Sequence, residues 1–152
     1  MTNVVAVAIV LHLLAVVIWV GGMFFAHLAL RPAALGLSPE LRLPLWERVF
    51  ERFFPWVWVA VLVILATGYG VLFFVFGGMA GVRPSVHIMM GLGNLMTLLF
   101  FYLWFLPYRA LRAALAAGNL PAAALQQARI RYIIMTNLVL GFVTIAVAVG
   151  GR

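Results

Sequence analysis

Three histidines, His12, His27 and His87, stand within or at the edge of long apolar runs, where they are the side chains able to bind a metal or carry a proton. An ionisable group in such a setting is costly to keep, so each is a functional candidate by default. His12 lies on the stripe Ala8, His12, Ala15, Trp19, Gly22 and Ala26, whose alternating steps of four and three stay on one helix face. Small residues on that face let another helix or a flat ligand come close. Two readings fit it: a buried porphyrin ligated by His12 with Trp19 and Gly22 beside it, or a packing face whose histidine hydrogen-bonds a neighbouring helix. His87 opens a later run on the stripe His87, Gly91, Asn94 and Leu98. It reads either as a second metal ligand or as an interfacial histidine in contact with water. His27, rotated about 60° from His12, is too far along its helix to share one metal with it. It suits an interfacial role, although a second haem would need a ligand in such a place.

The other polar residues of the runs have ordinary explanations. Asn94 and Asn137 fall near the middle of the third and fourth runs, and the latter heads the stripe Asn137, Gly141, Thr144 and Ala148. Interhelical amide bonds account for such residues, and for Thr67, Thr97 and Thr136, without invoking a function. The seven methionines include Met89 and Met90 just after His87, but no M-x-x-M ladder marks a copper path, so they read mainly as packing. There is no cysteine, so thiolate metal sites, iron–sulfur clusters and disulfides are excluded. The acidic residues are Glu40, Glu47 and Glu51, all in one connection. With no carboxylate pair, no Ser/His/Asp set and no phosphate-binding loop, a hydrolase reading has almost no support.

The elements that must carry these residues are membrane helices. Hydrophobic residues make up 67% of the chain and charged ones 9%, against roughly 45–50% and about 25% in soluble domains. Four apolar runs, 4–30, 54–76, 84–106 and 132–149, reach the length of about 20 residues that crosses a hydrocarbon core. The first is too long, and too poor in basic residues before it, for a signal peptide. The connection 31–53 opens a helix at Ser38-Pro39-Glu40, with Ser38 as cap and Pro39 in the first turn. Trp46, Val49, Phe50 and Phe53 share a face there, which predicts an amphipathic helix lying along the interface. The connection 107–131 is broken into two helical pieces at Gly118-Asn119-Leu120-Pro121. These connections hold eight arginines, and the opposite side holds only Arg83 and Arg152. That asymmetry places the connections in the cytoplasm and both termini outside. It also explains the +7 net charge without a nucleic-acid partner.

Short motifs spread over most of the chain resemble one membrane family. The segment Leu11-His12-Leu13-Leu14-Ala15-Val16-Val17-Ile18-Trp19-Val20-Gly21-Gly22 resembles the opening helix of the copper-resistance protein D family and of its relatives, the HemJ-type protoporphyrinogen oxidases. Both carry a histidine seven residues before a tryptophan, followed by a small pair. Trp46-Glu47-Arg48-Val49-Phe50-Glu51-Arg52-Phe53, leading to Thr67-Gly68, resembles their second helix and its lead-in. Ser85-Val86-His87, then Arg131 and Asn137, follow in compatible order. Similarity to the HemJ branch implies a b-type haem held between helices, with His12 the first residue to carry over. Similarity to the copper branch implies copper handling. The sequence departs from the HemJ pattern at Met89, where that branch has a lysine. It departs again at Leu138 and Val139, where that branch has an acidic residue and a proline.

The expectation is therefore an all-α, up-down bundle of four transmembrane helices forming a single domain over residues 1–152. It would be a multi-pass plasma-membrane protein in contact with the lipid bilayer and able to self-associate into a homo-oligomer. The leading functional expectation is a haem b protein for electron transfer or redox sensing, with an unidentified redox partner. His12 and His87 would be its metal ligands, with Trp19, Gly22 and Asn94 around the cofactor. The alternatives are a copper transporter or copper-binding protein using His12, His87 and methionines, and a structural or assembly subunit without a cofactor.

Overall fold

A computed structural model describes residues 3–151. Four helices follow one another with short joints: α1 (Asn3–Ala34), α2 (Pro39–Phe74), α3 (Pro84–Ala116) and α4 (Leu120–Gly150). There is no strand among the described residues. Joints as short as 35–38 and 117–119 leave a helix nowhere to go but back alongside its predecessor, which gives the up-down order. α1 packs chiefly on α2 and α3 chiefly on α4, and α4 closes the bundle by touching α1 and α2 as well.

All four helices are long and apolar enough to cross a membrane. Their outer faces carry apolar side chains: Val17, Leu62, Leu98 and Val139, one from each helix, are more than half exposed. In water such a surface would drive aggregation; in a bilayer it is the lipid contact.

The helices run further than the apolar runs. α2 has 36 residues, about 54 Å at 1.5 Å per residue, against a hydrocarbon core of about 30 Å. The surplus lies at the arginine-rich end, where the amphipathic segment of the first connection is continuous with the second span. Trp46 and Phe50 are buried against the other helices there, which corrects the expectation of a separate helix lying flat along the interface. Ser38 does occupy the cap position with extended backbone, and Pro39 begins the helix, but no side-chain bond is made. Gly118, at φ +69°, ends α3, and the Asn119 side chain accepts the Ala122 N–H at 3.1 Å to start α4. The break expected there is present, but the two pieces are extensions of α3 and α4. Each of two π-helical turns, at Ala26–Leu30 and Trp104–Tyr108, lies at a proline, Pro32 or Pro107. A proline lacks the N–H and crowds the preceding turn, and the widened turn lets the helix continue past it.

The arginine-rich half of the bundle has a core of aromatic rings. Phe50 stacks on Phe54 with centroids 4.8 Å apart, Tyr108 meets Phe54 edge-on at 5.0 Å, and Phe100 bridges Phe54 to Trp19. Gly22 lies beneath this cluster, where any Cβ would collide with the Phe53 ring. The other half is not filled in this way.

Candidate functional site

In the arginine-poor half the four helices stand around a cavity of about 420 Å³. Its floor is Trp19, the last ring of the aromatic core. Small residues keep the walls thin: Ala8 from α1, Gly68 from α2, Gly93 from α3 and Gly141 from α4 all line it. Gly141 also lets α4 approach α1, because a Cβ there would sit 2.9 Å from the Val20 side chain.

The polar groups on the wall are nearly all committed. Tyr69 and Asn94 bond each other across α2 and α3, at 3.1 Å from the hydroxyl to Oδ1 and 2.9 Å from Nδ2 to the hydroxyl. The Thr144 hydroxyl donates to the Leu140 carbonyl of its own helix at 2.7 Å. The Thr67 hydroxyl donates to the Val63 carbonyl at 2.6 Å, which uses its one proton. His12 Nδ1 lies 2.8 Å from the same Thr67 oxygen, and with the threonine proton directed to Val63 it is the donor in that contact. Neutral His12 therefore carries its proton on Nδ1 and a free lone pair on Nε2. Among the described residues Nε2 has no hydrogen-bond partner, while His12 lines the cavity.

Three thioethers share the wall: Met89, Met90 and Met96 line the cavity from α3. Met89, Gly93 and Met96 repeat at steps of four and three, and that stripe faces inward. Treating the methionines as undifferentiated packing missed this set; the 89-93-96 spacing was the signal that could have found it. Among the described residues no carboxylate and no arginine lines the cavity. No group of three or more His, Cys, Asp or Glu side chains that could hold a metal exists among the described residues.

The expected site residues separate accordingly. His12, Trp19 and Asn94 line one cavity, and the face of α1 that bears His12 is turned inward, with Ala15, Trp19 and Ala26 buried. Gly22 serves helix packing on the far side of Trp19. His87 is exposed at the start of α3, with Nδ1 3.4 Å from the Arg83 carbonyl, and is not brought to the cavity. Its stripe-mates Gly91 and Leu98 are exposed too, while Asn94 of the same stripe turns in to Tyr69, so the stripe does not act as one face. The asparagines do what interhelical amides ordinarily do: besides the Asn94–Tyr69 pair, Asn137 Nδ2 donates to the Met96 carbonyl at 3.1 Å. That bond holds the backbone of the innermost thioether.

Such a wall suits a soft, weakly charged metal ion. Thioethers and a neutral imidazole are ligands for Cu(I), whereas Cu(II) prefers harder nitrogen and oxygen donors in a tetragonal plane. Without a counter-charge the cost of burial also favours the monovalent ion, since it grows as the square of the charge and is about fourfold larger for a divalent one. Comparison with known proteins agrees in direction. Residues 47–150 match the family model described as Copper resistance protein D. The match covers more than half of the chain, starting within α2 and leaving α1, with His12, outside it. No curated protein and no solved structure matches the chain. The haem b expectation gains no support from either source: the family description names copper, and no second histidine faces His12.

Proposed function

The chain belongs to the copper resistance protein D family, and from that premise we propose that it is a copper-handling membrane protein that takes Cu(I) as cargo into the cavity beside His12. One observation carries the reading: His12, whose Nδ1 is engaged by Thr67, lines the same cavity as Met89, Met90 and Met96. His12 supplies the nitrogen ligand and the methionines the sulfur ligands. Thr67 holds the imidazole in the tautomer that leaves Nε2 bare, as outer-shell acceptors do for metal-bound histidines. With no negative charge on the wall among the described residues, binding is kept from becoming too tight, which suits a station on a path better than a store.

Orientation follows from charge. With eight arginines at one end, that end is cytoplasmic and the cavity opens toward the outside of the plasma membrane. Copper then enters from the outer face, and the Trp19 floor separates it from the cytoplasmic half.

The experiment is anaerobic Cu(I) titration of the purified protein against a chromogenic chelator, with absorption spectra of the same sample. The expected result is stoichiometric Cu(I) binding that is lost in His12→Ala and weakened in Met89→Leu and Met96→Leu. A haem Soret band in a protein that takes up no copper would overturn the proposal. So would copper binding that is indifferent to His12.

A further inference from the structure

A second, smaller cavity of about 130 Å³ lies at the arginine-rich end, between α1, α2 and α4. That is far more than the roughly 10–15 Å³ that one water requires, and room enough for a tetrahedral oxyanion. Three arginines from three helices line it: Arg31 on α1, Arg42 on α2 and Arg131 on α4. His27 lines it too, and the charges that reach its ring are those of Arg31 and Arg131, both positive. Gln127 adds an amide.

Nothing on the wall balances these charges. No Asp or Glu is among the lining residues. The one ion pair among the described residues joins Arg112 to Glu47 at 3.8 Å, and neither lines this cavity. Glu40 and Glu51 are exposed and also lie off it. Among the described residues the three guanidiniums have few polar contacts: Arg42 donates to the Leu37 carbonyl at 3.2 Å, and Arg131 lies over the Tyr132 ring. Three like charges are thus held half-buried on one small wall, an arrangement that repels itself unless an anion sits among them.

We propose that this cavity is a phosphate-binding site, in which Arg31, Arg42 and Arg131 together hold one phosphate group. Guanidinium forks match phosphate oxygens two at a time, which a single ammonium cannot do. The position fits as well. Leu28, on the turn just before Arg31, is more than half exposed on the apolar outer surface, so the pocket lies where hydrocarbon gives way to headgroups. Basic pockets between membrane helices at that level recognise anionic lipid headgroups, and the same chemistry would take a soluble phosphate. The site is independent of the copper reading, because no residue lines both cavities.

The test uses the full chain in detergent and in nanodiscs. Thermal unfolding is followed with added phosphatidylglycerol, with phosphatidylcholine and with inorganic phosphate, and native mass spectrometry reads which lipid stays bound. Phosphatidylglycerol should stabilise and be retained over phosphatidylcholine, with apparent affinity falling about fivefold for each arginine removed in Arg31→Gln and Arg131→Gln. Arg112→Gln, outside the pocket, should leave it unchanged. Stabilisation by the lipid alone identifies a headgroup as the source, and stabilisation by inorganic phosphate alone identifies a soluble anion. Arg31→Lys keeps the charge while losing the fork, and covers the case in which a glutamine variant does not fold. Equal retention of both lipids together with no effect of inorganic phosphate overturns the proposal. Selectivity that survives in Arg31→Gln and Arg131→Gln overturns it too.

Discussion

His12 Nδ1 and Thr67 Oγ1 meet at 2.8 Å across α1 and α2, and Thr67 has already given its proton to the Val63 carbonyl at 2.6 Å. With its proton so placed the threonine accepts from His12, and one hydroxyl on a neighbouring helix would set the tautomer of the imidazole. Thr67→Val removes the acceptor while keeping the shape. Cu(I) affinity should fall by about 10–100-fold, Thr67→Ser should restore it, and the melting temperature should move little in either variant. A chelator competition series with parallel thermal melts reads both. Unchanged affinity in Thr67→Val would remove the tautomer argument.

Met89 lies on the cavity wall, at the position where the HemJ pattern has a lysine. Met89→Lys should abolish Cu(I) binding, because a soft ligand is exchanged for a positive charge that repels the ion. Met89→Leu should only weaken it, since Met90 and Met96 remain. Copper-to-protein ratios after desalting separate these outcomes.

Gly141 lets α4 settle against Val20 of α1. Gly141→Val would force the helices apart and should cost about 1–3 kcal/mol of stability, the usual price of overpacking. Gly21 has nothing within 4 Å of its Cβ position, so Gly21→Ala should be neutral. Unfolding of both variants in a mild detergent is the comparison to make.

The chain contains no cysteine, so single-cysteine variants give a clean test of topology. Arg42→Cys and Gly118→Cys should be shielded from a membrane-impermeant maleimide in intact cells, and Arg83→Cys should react. Labelling in the reverse pattern would invert the bundle and place the cavity on the cytoplasmic side.

The protein should not support growth of a strain lacking protoporphyrinogen oxidase. Removing hydrogens from a porphyrinogen requires a proton acceptor within hydrogen-bond reach. The cavity offers Met89 where that pattern has a lysine, Leu138, where it has an acidic residue, is buried and apolar, and the basic nitrogen on the wall, His12 Nε2, is committed to the metal under the proposed function. Complementation with verified expression would show that another residue accepts the proton.

Much of the architecture is local in origin and was legible in the sequence. Four runs long enough to cross a bilayer, a helix start at Ser38-Pro39 and a break at Gly118-Asn119 each rest on a few adjacent residues. So does the inward face of α1, because Ala8, Ala15, Gly22 and Ala26 are its small residues and small residues mark close packing. The facing of α3 was not legible. On the stripe of His87, Gly91, Asn94 and Leu98 only Asn94 lines the cavity and the other three are exposed, whereas the stripe of Met89, Gly93 and Met96, displaced by two residues or about 200°, points in. Lipid is as apolar as the protein interior, so a membrane helix has no polar side to betray its orientation. Only contact with α2 and α4, through Asn94–Tyr69 and Asn137–Met96, turns the methionines toward His12. The gathering of Arg31, Arg42 and Arg131 has the same origin. Arg31 and Arg42 flank the first joint but Arg131 lies far along the chain from both, and the antiparallel return of α2 and α4 against α1 brings them to one wall.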